Sequence, residues 1–395
     1  MKPLSQTEKT LLELLSLSLA GKKADALPPD LDWQALTQLA TQHKILPLIL
    51  SAVPSAPMAV KRMVFQQITA QNMRTAAFLE LYEAMEATGL HPLVVKGILC
   101  RELYPQGDLR PSSDEDVYVT DEEFAACCAF LRHFGMTPTN DEEPDAWEIG
   151  WRKAGSPLYI ELHRRLFAPD SAAYHDLGQF FDLDNLETAV YPTGTRTPIT
   201  SLNPHDHLLY LLLHAYKHFL HSGFGIRQVC DIGLWAARYE AQVNWSRLWE
   251  QCQGCNAHRF AAAVFGIAHY VLQIPLELDG VWNVSPALWE PLLADVMAGG
   301  VYGSATEDRV HSATVTLNAV AANRAGRRSS IWRSVFPKRT SLEGAYPYLK
   351  TYPFLLPLAW LQRMGRYLSQ KPSAGQSITI AKERIELMKL YEIIQ

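Results

Sequence analysis

The residues best suited to chemistry in this chain are Asp114-Glu115-Asp116, Glu161 and the pair Lys96-Gly97. Asp114 and Asp116 head a strand-like run in which alternate side chains share a face, so their carboxylates point the same way about 7 Å apart. No Lys or Arg stands beside them in that run. Two aligned carboxylates repel each other, which calls for a cation between them, and hard oxygen ligands favour Mg2+ or Mn2+. Glu161 belongs to a run in which Tyr159, Glu161 and His163 share one face and Leu158, Ile160 and Leu162 the other. A carboxylate on the exposed face of a neighbouring strand would complete the site, and three carboxylates holding two cations support in-line attack at phosphorus. Gly97 precedes a helical pattern, and backbone N–H groups at a helix N-terminus receive phosphate. The plainer reading stays open at this level, because an acidic pair at a strand start is common without a metal. The chain has no GxxxxGK[ST] motif and no Gly-rich kinase loop, so a Walker-type site is excluded.

The elements that must position these residues follow from hydrophobic spacing. Leu11, Leu12, Leu14 and Leu15 begin one helix, and Trp33, Leu36, Leu39 and Ala40 mark another. A longer helix over about Ala59 to Thr88 ends at Gly89. His91 to Val95 reads as a strand, Ile98 to Leu103 as a helix, and Asp116 to Val119 as a second strand. Thr120-Asp121-Glu122-Glu123 supplies a helix cap and an acidic first turn, with Phe124, Cys127, Cys128, Leu131 and Phe134 on the buried face. Trp147–Lys153 and Leu158–Arg164 read as a hairpin. Helical spacing resumes over Leu208–Phe219, Val229–Tyr239, Trp245–Cys252 and Ala257–Leu272, with a further helix expected over Ser304–Asn323 and a last one from about Ala381. The expected organisation is an N-terminal helical region (1–88), a small α/β core (89–190) and a C-terminal helical region (191–395).

Val94-Val95-Lys96-Gly97, Leu103-Tyr104-Pro105, Leu109-Arg110-Pro111 and Asp114 to Val119 together resemble the core of a largely uncharacterised bacterial nucleotidyltransferase family of the polymerase-β-like superfamily. The resemblance extends to His43-Lys44-Ile45-Leu46-Pro47, Ile160-Glu161-Leu162-His163, Leu211 to His214 with Lys217-His218, Asp231-Ile232-Gly233-Leu234 and the tail pattern Pro353 to Leu358. It implies an α+β fold, a small mixed sheet backed by helices with helical regions on either side. It further implies an NTP substrate, with Asp114, Asp116 and Glu161 on the metals and Gly97 shaping the triphosphate turn beside Lys96. Arg110 would neutralise phosphate charge, and Lys217, with His218 beside it, would reach the β- or γ-phosphate. An acceptor hydroxyl, or a phosphate, would attack the α-phosphate and release pyrophosphate. The acceptor is expected to be a small molecule, peptide or protein. Two positions depart from the pattern: Gly97 is followed by Ile98 where many superfamily members have Ser, and Glu115 stands where an apolar residue is usual. A charged residue there needs solvent or a partner.

The remaining signals are weaker. His205, His207, His214, His218 and His221 cluster within one helix, but no HExxH accompanies them and they read as cleft-lining or capping residues. Cys252-Gln253-Gly254-Cys255 with His258 lacks a second ligand pair and reads as a turn. The six cysteines of the 395-residue chain do not form a disulfide framework. The basic run Arg324, Arg327, Arg328, Arg333, Lys338 and Arg339 reads as a solvated loop, or as a dock for an acidic acceptor. With 48% hydrophobic residues, 19% charged and a formal net charge of −5, the chain builds a large core and is not drawn globally to nucleic acid. No apolar run is long enough to span a bilayer and the N-terminal run is broken by Glu13, so the reading is cytoplasmic. Beside nucleotidyl transfer stand two alternatives: a non-catalytic nucleotide- or partner-binding protein on the same scaffold, and a γ-phosphate phosphotransferase.

Overall fold

The computed structural model describes residues 3–139, 146–300 (without 170, 172, 173, 175, 222, 279–281 and 283), five positions between 316 and 342, and 345–369 and 374–394. Four helices lead: α1 (Gln6–Leu19), α2 (Trp33–Gln42), α3 (Leu46–Ser51) and α4 (Met58–Ala87). Ser5 and Glu8 cap α1 reciprocally, and Asp32 accepts from Gln34 and Ala35 at the start of α2. The chain then builds β1 (Leu93–Val94), α5 (Ile98–Arg101), β2 (Glu115–Tyr118), α6 (Asp121–His133), β3 (Met136–Pro138), β4 (Glu148–Lys153) and β5 (Tyr159–His163). A small hairpin, β6 (Thr188–Tyr191) with β7 (Ile199–Leu202), leads into α7 (Pro204–His221), α8 (Ile226–Arg238), α9 (Trp245–Gly254), α10 (His258–Gly266) and α11 (Pro286–Gly299). The final helix covers Ala374–Leu390.

The five-stranded sheet runs β1-β2-β5-β4-β3. Its pairs are antiparallel except β2 with β5, which are parallel and set Asp116 opposite Glu161 and Tyr118 opposite His163. This is the α+β architecture with a mixed sheet and helical flanks that the sequence leads one to expect. The parallel pair requires a crossover, and α6, β3 and β4 provide it. One hydrophobic core runs from Leu11 to Ile394, joining the leading helices, one face of the sheet and the later helices.

Local expectations differ from the structure at several points, among them the final helix, which begins at Ala374 rather than at about Ala381. The helix after Gly97 is a single turn, because the next residues bend into the loop that carries Arg110. The strands β3, β6 and β7 each have only three or four residues, too few for alternation to stand out. The segment 257–272 is not one regular helix, since α10 ends at Gly266 and a widened turn covers Ile267–Val271. Thr120 occupies the cap position of α6 without a side-chain hydrogen bond, and Asp121 instead pairs with Arg164 and Arg165. The expected helix 304–323 and the basic run 324–339 lie, but for a few positions, outside the described residues.

Candidate active site

The parallel β2–β5 pair builds the site. Paired residues of neighbouring strands share a face, so Asp116 and Glu161 lie side by side. His163, two residues further along β5, brings Nε2 to 3.5 Å from Asp116 Oδ1 and 3.9 Å from Glu161 Oε2. Its Nδ1 lies 3.6 Å from Glu148 Oε2, across the β4–β5 pair. Gly150 sits opposite Glu161, and a Cβ there would come within 2.5 Å of both Thr139 Oγ1 and Tyr159 Oη. The bare glycine thus lets Tyr159 approach closely enough to donate to Glu161 Oε1 at 3.3 Å.

Lys96 supplies the nearest cation. Its Nζ lies 2.7 Å from Asp116 Oδ2 and 4.0 Å from Asp114 Oδ2. The repulsion that called for a cation between the two aspartates is therefore met in part by a lysine carried from the end of β1 across the β1–β2 pair. Burial works against the charged form of Asp116, but Lys96 and the neighbouring His163 outweigh it and hold this carboxyl well below the ordinary range. Glu161 goes the other way: burial, then the charges of Asp116 and Glu148, raise its carboxyl from 4.5 to about 7. Two adjacent carboxyls are thus pushed apart in acidity, a pattern typical of functional sites.

Helix α7 lies alongside this face. Asn203 caps it through Oδ1, accepting from His205 and Asp206, and Pro204 opens it. Lys217 places Nζ 5.2 Å from the centre of the Trp147 ring, which itself packs 5.7 Å from His163. Burial lowers the Lys217 pKa, partly offset by Glu148. His214 and His218 meet edge to face at 4.6 Å, and both are held neutral: burial is the main cause, with Lys96 acting on His214 and Lys217 on His218. The other three histidines of the helix point elsewhere. His205 bonds Gln251, His207 stacks on Trp235 at 3.8 Å, and His221 packs against Tyr174.

Two of the sequence-derived positions take different surroundings from those expected. Arg110 is fully buried and forks onto Asp231 of α8, through Nε at 3.0 Å and Nη2 at 2.6 Å, while Nη1 reaches the Gly97 carbonyl at 3.3 Å. Its charge is spent inside the protein, where Tyr104 also donates to Asp231 at 2.7 Å. Gly97 adopts φ 63°, ψ −114°, and a Cβ there would fall 1.8 Å from Glu115 Oε2. Glu115 lies beneath the turn, fully buried, accepting from the Ile98 N–H at 2.7 Å and from Arg101 at 2.8 Å. The charged departure from the family pattern thus has its partner, and one helix N-terminal N–H at the Gly97 turn is taken by protein. Asp114, Asp116, Glu161, Lys96, Lys217 and His218 gather on one face; Gly97 and Arg110 lie behind it.

Sequence spacing puts Tyr159 and His163 on the Glu161 face but gives neither a role, and it gives none to Glu148 or Trp147. The role of His163 emerges only when β5 lies beside β2, which brings its ring to Asp116. Among the described residues, Asp116, Glu161 and His163 form the one group that could hold a metal ion, with a ligand atom from each within 4.8 Å of the others. Two carboxylates and an imidazole fit a divalent cation, and the donor set suits Mn2+ as well as Mg2+. The CxxC pair carries no such group; Cys252 and Cys255 are buried free thiols. No described helix is long and apolar enough to cross a membrane.

No curated protein and no solved structure matches the chain. Residues 29–273 match a family model described as uncharacterised nucleotidyltransferase. The matched stretch is more than half of the chain and contains Lys96, the three carboxylates, His163 and Lys217, and on that match the chain belongs to the uncharacterised nucleotidyltransferase family.

Proposed function

We propose that the protein transfers a nucleoside monophosphate from an NTP to an acceptor hydroxyl or phosphate, with release of pyrophosphate. The observation that carries this reading is the parallel register that sets Asp116 beside Glu161, with Asp114 on the same edge and His163 within reach. Asp116 and Glu161 would hold Mg2+ or Mn2+, joined by His163 and, at the mouth, Asp114; such an ion supplies charge neutralisation at the reacting phosphate. Lys96 keeps the two aspartates aligned through its ammonium. Lys217 and His218, at the far end of β5, would meet the leaving phosphates, with Lys217 bringing the positive charge there. Catalysis of this kind depends on positioning and electrostatics, without a covalent intermediate.

A second reading rests on Lys96. Because its ammonium already meets Asp116, the site could bind a nucleotide without turning it over. Calorimetry with ATP, GTP, CTP and UTP, with Mg2+ or Mn2+, followed by a pyrophosphate-release assay, separates the two. Transfer predicts release that Asp114→Ala lowers about a hundredfold or more while the fold is retained. Full activity in that variant would sink the assignment, binding without release would favour the second reading, and ADP as product would indicate γ-phosphate transfer.

A further inference from the structure

A groove of about 780 Å3 opens beside Asp114 at the end of the sheet away from Lys217. Lys44 and Arg74 come to it from the leading helices and Arg152 from the end of β4, with Asp114 and Tyr159 between them. Lys44 occupies a left-handed backbone conformation (φ 52°), rare for a residue with a side chain. That turn sends its Nζ to 3.1 Å from Ser113 Oγ, next to Asp114. Arg74 donates to the Ser112 carbonyl and, at 3.1 Å, to Gln71 Oε1. The Arg152 guanidinium lies 4.9 Å from the centre of the Tyr159 ring, the same tyrosine that donates to Glu161. With Lys153, four cations thus line a groove that holds one carboxylate, Asp114. Burial disfavours the charged forms of Lys44 and Arg74, a cost that an incoming anion would relieve.

The two cationic groups flank the carboxylates. Lys217 stands by Trp147 and the His163 end of β5, while Arg152 stands by Tyr159 at its start. Four residues of strand separate those ends by about 13 Å. A single triphosphate whose α-phosphate sits at Asp116 extends toward one end and leaves the other to the second substrate. Resting on the nucleotidyl-transfer reading above, we infer that the Lys44–Arg74–Arg152 groove binds a phosphate group of the acceptor, whose nucleophilic oxygen then lies past Asp114 at the carboxylate pair. Four cations against one carboxylate leave the groove strongly positive, which suits a phosphate dianion better than a single carboxylate. In the reaction the acceptor oxygen bonds to the α-phosphorus, the bond from that phosphorus to the bridging β-phosphate oxygen breaks, pyrophosphate carries away the electron pair, and the proton of a hydroxyl acceptor passes to water.

The test uses the full chain with inorganic phosphate as the probe, titrated calorimetrically with and without saturating ATP and Mn2+. Phosphate is expected to bind whether or not ATP is present. Arg152→Gln and Lys44→Gln should each weaken phosphate about tenfold more than they weaken ATP. Arg152 is exposed and its replacement leaves the fold intact, so that variant decides the matter if Lys44→Gln misfolds. Mutual exclusion of phosphate and ATP would overturn the inference by assigning the groove to the nucleotide's own phosphates. Phosphate affinity unchanged in Arg152→Gln would overturn it as well. A chain that binds phosphate in an Arg152-dependent way but no NTP would instead overturn nucleotidyl transfer, and the acceptor role with it, while the anion site itself stands.

Discussion

Glu161 ties the acidity of the site to the stability of the fold. Its carboxyl is raised from 4.5 to about 7, first by burial and then by Asp116 and Glu148. A carboxyl whose folded pKa exceeds its unfolded one contributes stability below the unfolded value and loses it as pH rises through the folded value. Without divalent cations, wild-type protein should therefore lose stability relative to Glu161→Gln between about pH 4.5 and pH 7, and the difference should level off above that. Urea unfolding across that range in the presence of a chelator measures it, and a pH-independent difference would contradict the assigned acidity. The acidic residues themselves were legible in the sequence, because a period of two puts 114 with 116 and 159 with 161 and 163. Lys96 was legible as a neighbour of the turn but not as the counter-ion of Asp116, since that pairing exists only once β1 lies against β2.

At the scale of elements, the Gly97 turn is held from below. Glu115 satisfies the Ile98 N–H and Arg101 together, and the missing Cβ of Gly97 makes room for its carboxylate. Removing one member of a buried ion pair leaves the other uncompensated at a cost of about 3–5 kcal/mol, whereas replacing both by apolar residues is often nearly neutral. Arg101→Met alone should thus destabilise by roughly that amount, and Glu115→Leu combined with Arg101→Met should recover most of it. Equilibrium unfolding of the two single variants and the double variant gives the coupling; additive losses would show that the pair is not a unit. Helices were the most legible elements, since α4, α7 and α8 carry long stretches of three- and four-residue spacing. β3, β6 and β7 were not legible, because three or four residues hold too little alternation to be distinguished from loop.

At the scale of the whole molecule, the loop that precedes β2 is clamped to the helical region behind it. Arg110 and Tyr104 both reach Asp231, and Arg227 of the same helix donates to the Pro111 carbonyl. Arg110→Met should cost about 3–5 kcal/mol of folding stability by leaving Asp231 buried and unpaired. Were Arg110 a phosphate ligand, the same change would raise the KM for NTP and leave the unfolding midpoint in place, so a urea titration beside steady-state kinetics distinguishes the two. Sequence could not reveal this role, because the partner lies 121 residues away. The final helix, beyond the family match, performs a similar service for α7, where Arg384 donates to the carbonyls of Phe219 and, at 2.7 Å, His221. The parallel β2–β5 register has a consequence in time as well as in space. Asp116 and Glu161 meet only when β5 docks beside β2 across the crossover of α6, β3 and β4, and non-local pairings of this kind form slowly. A chain emerging from the ribosome therefore carries these two carboxylates apart until β5 has been made and has docked beside β2.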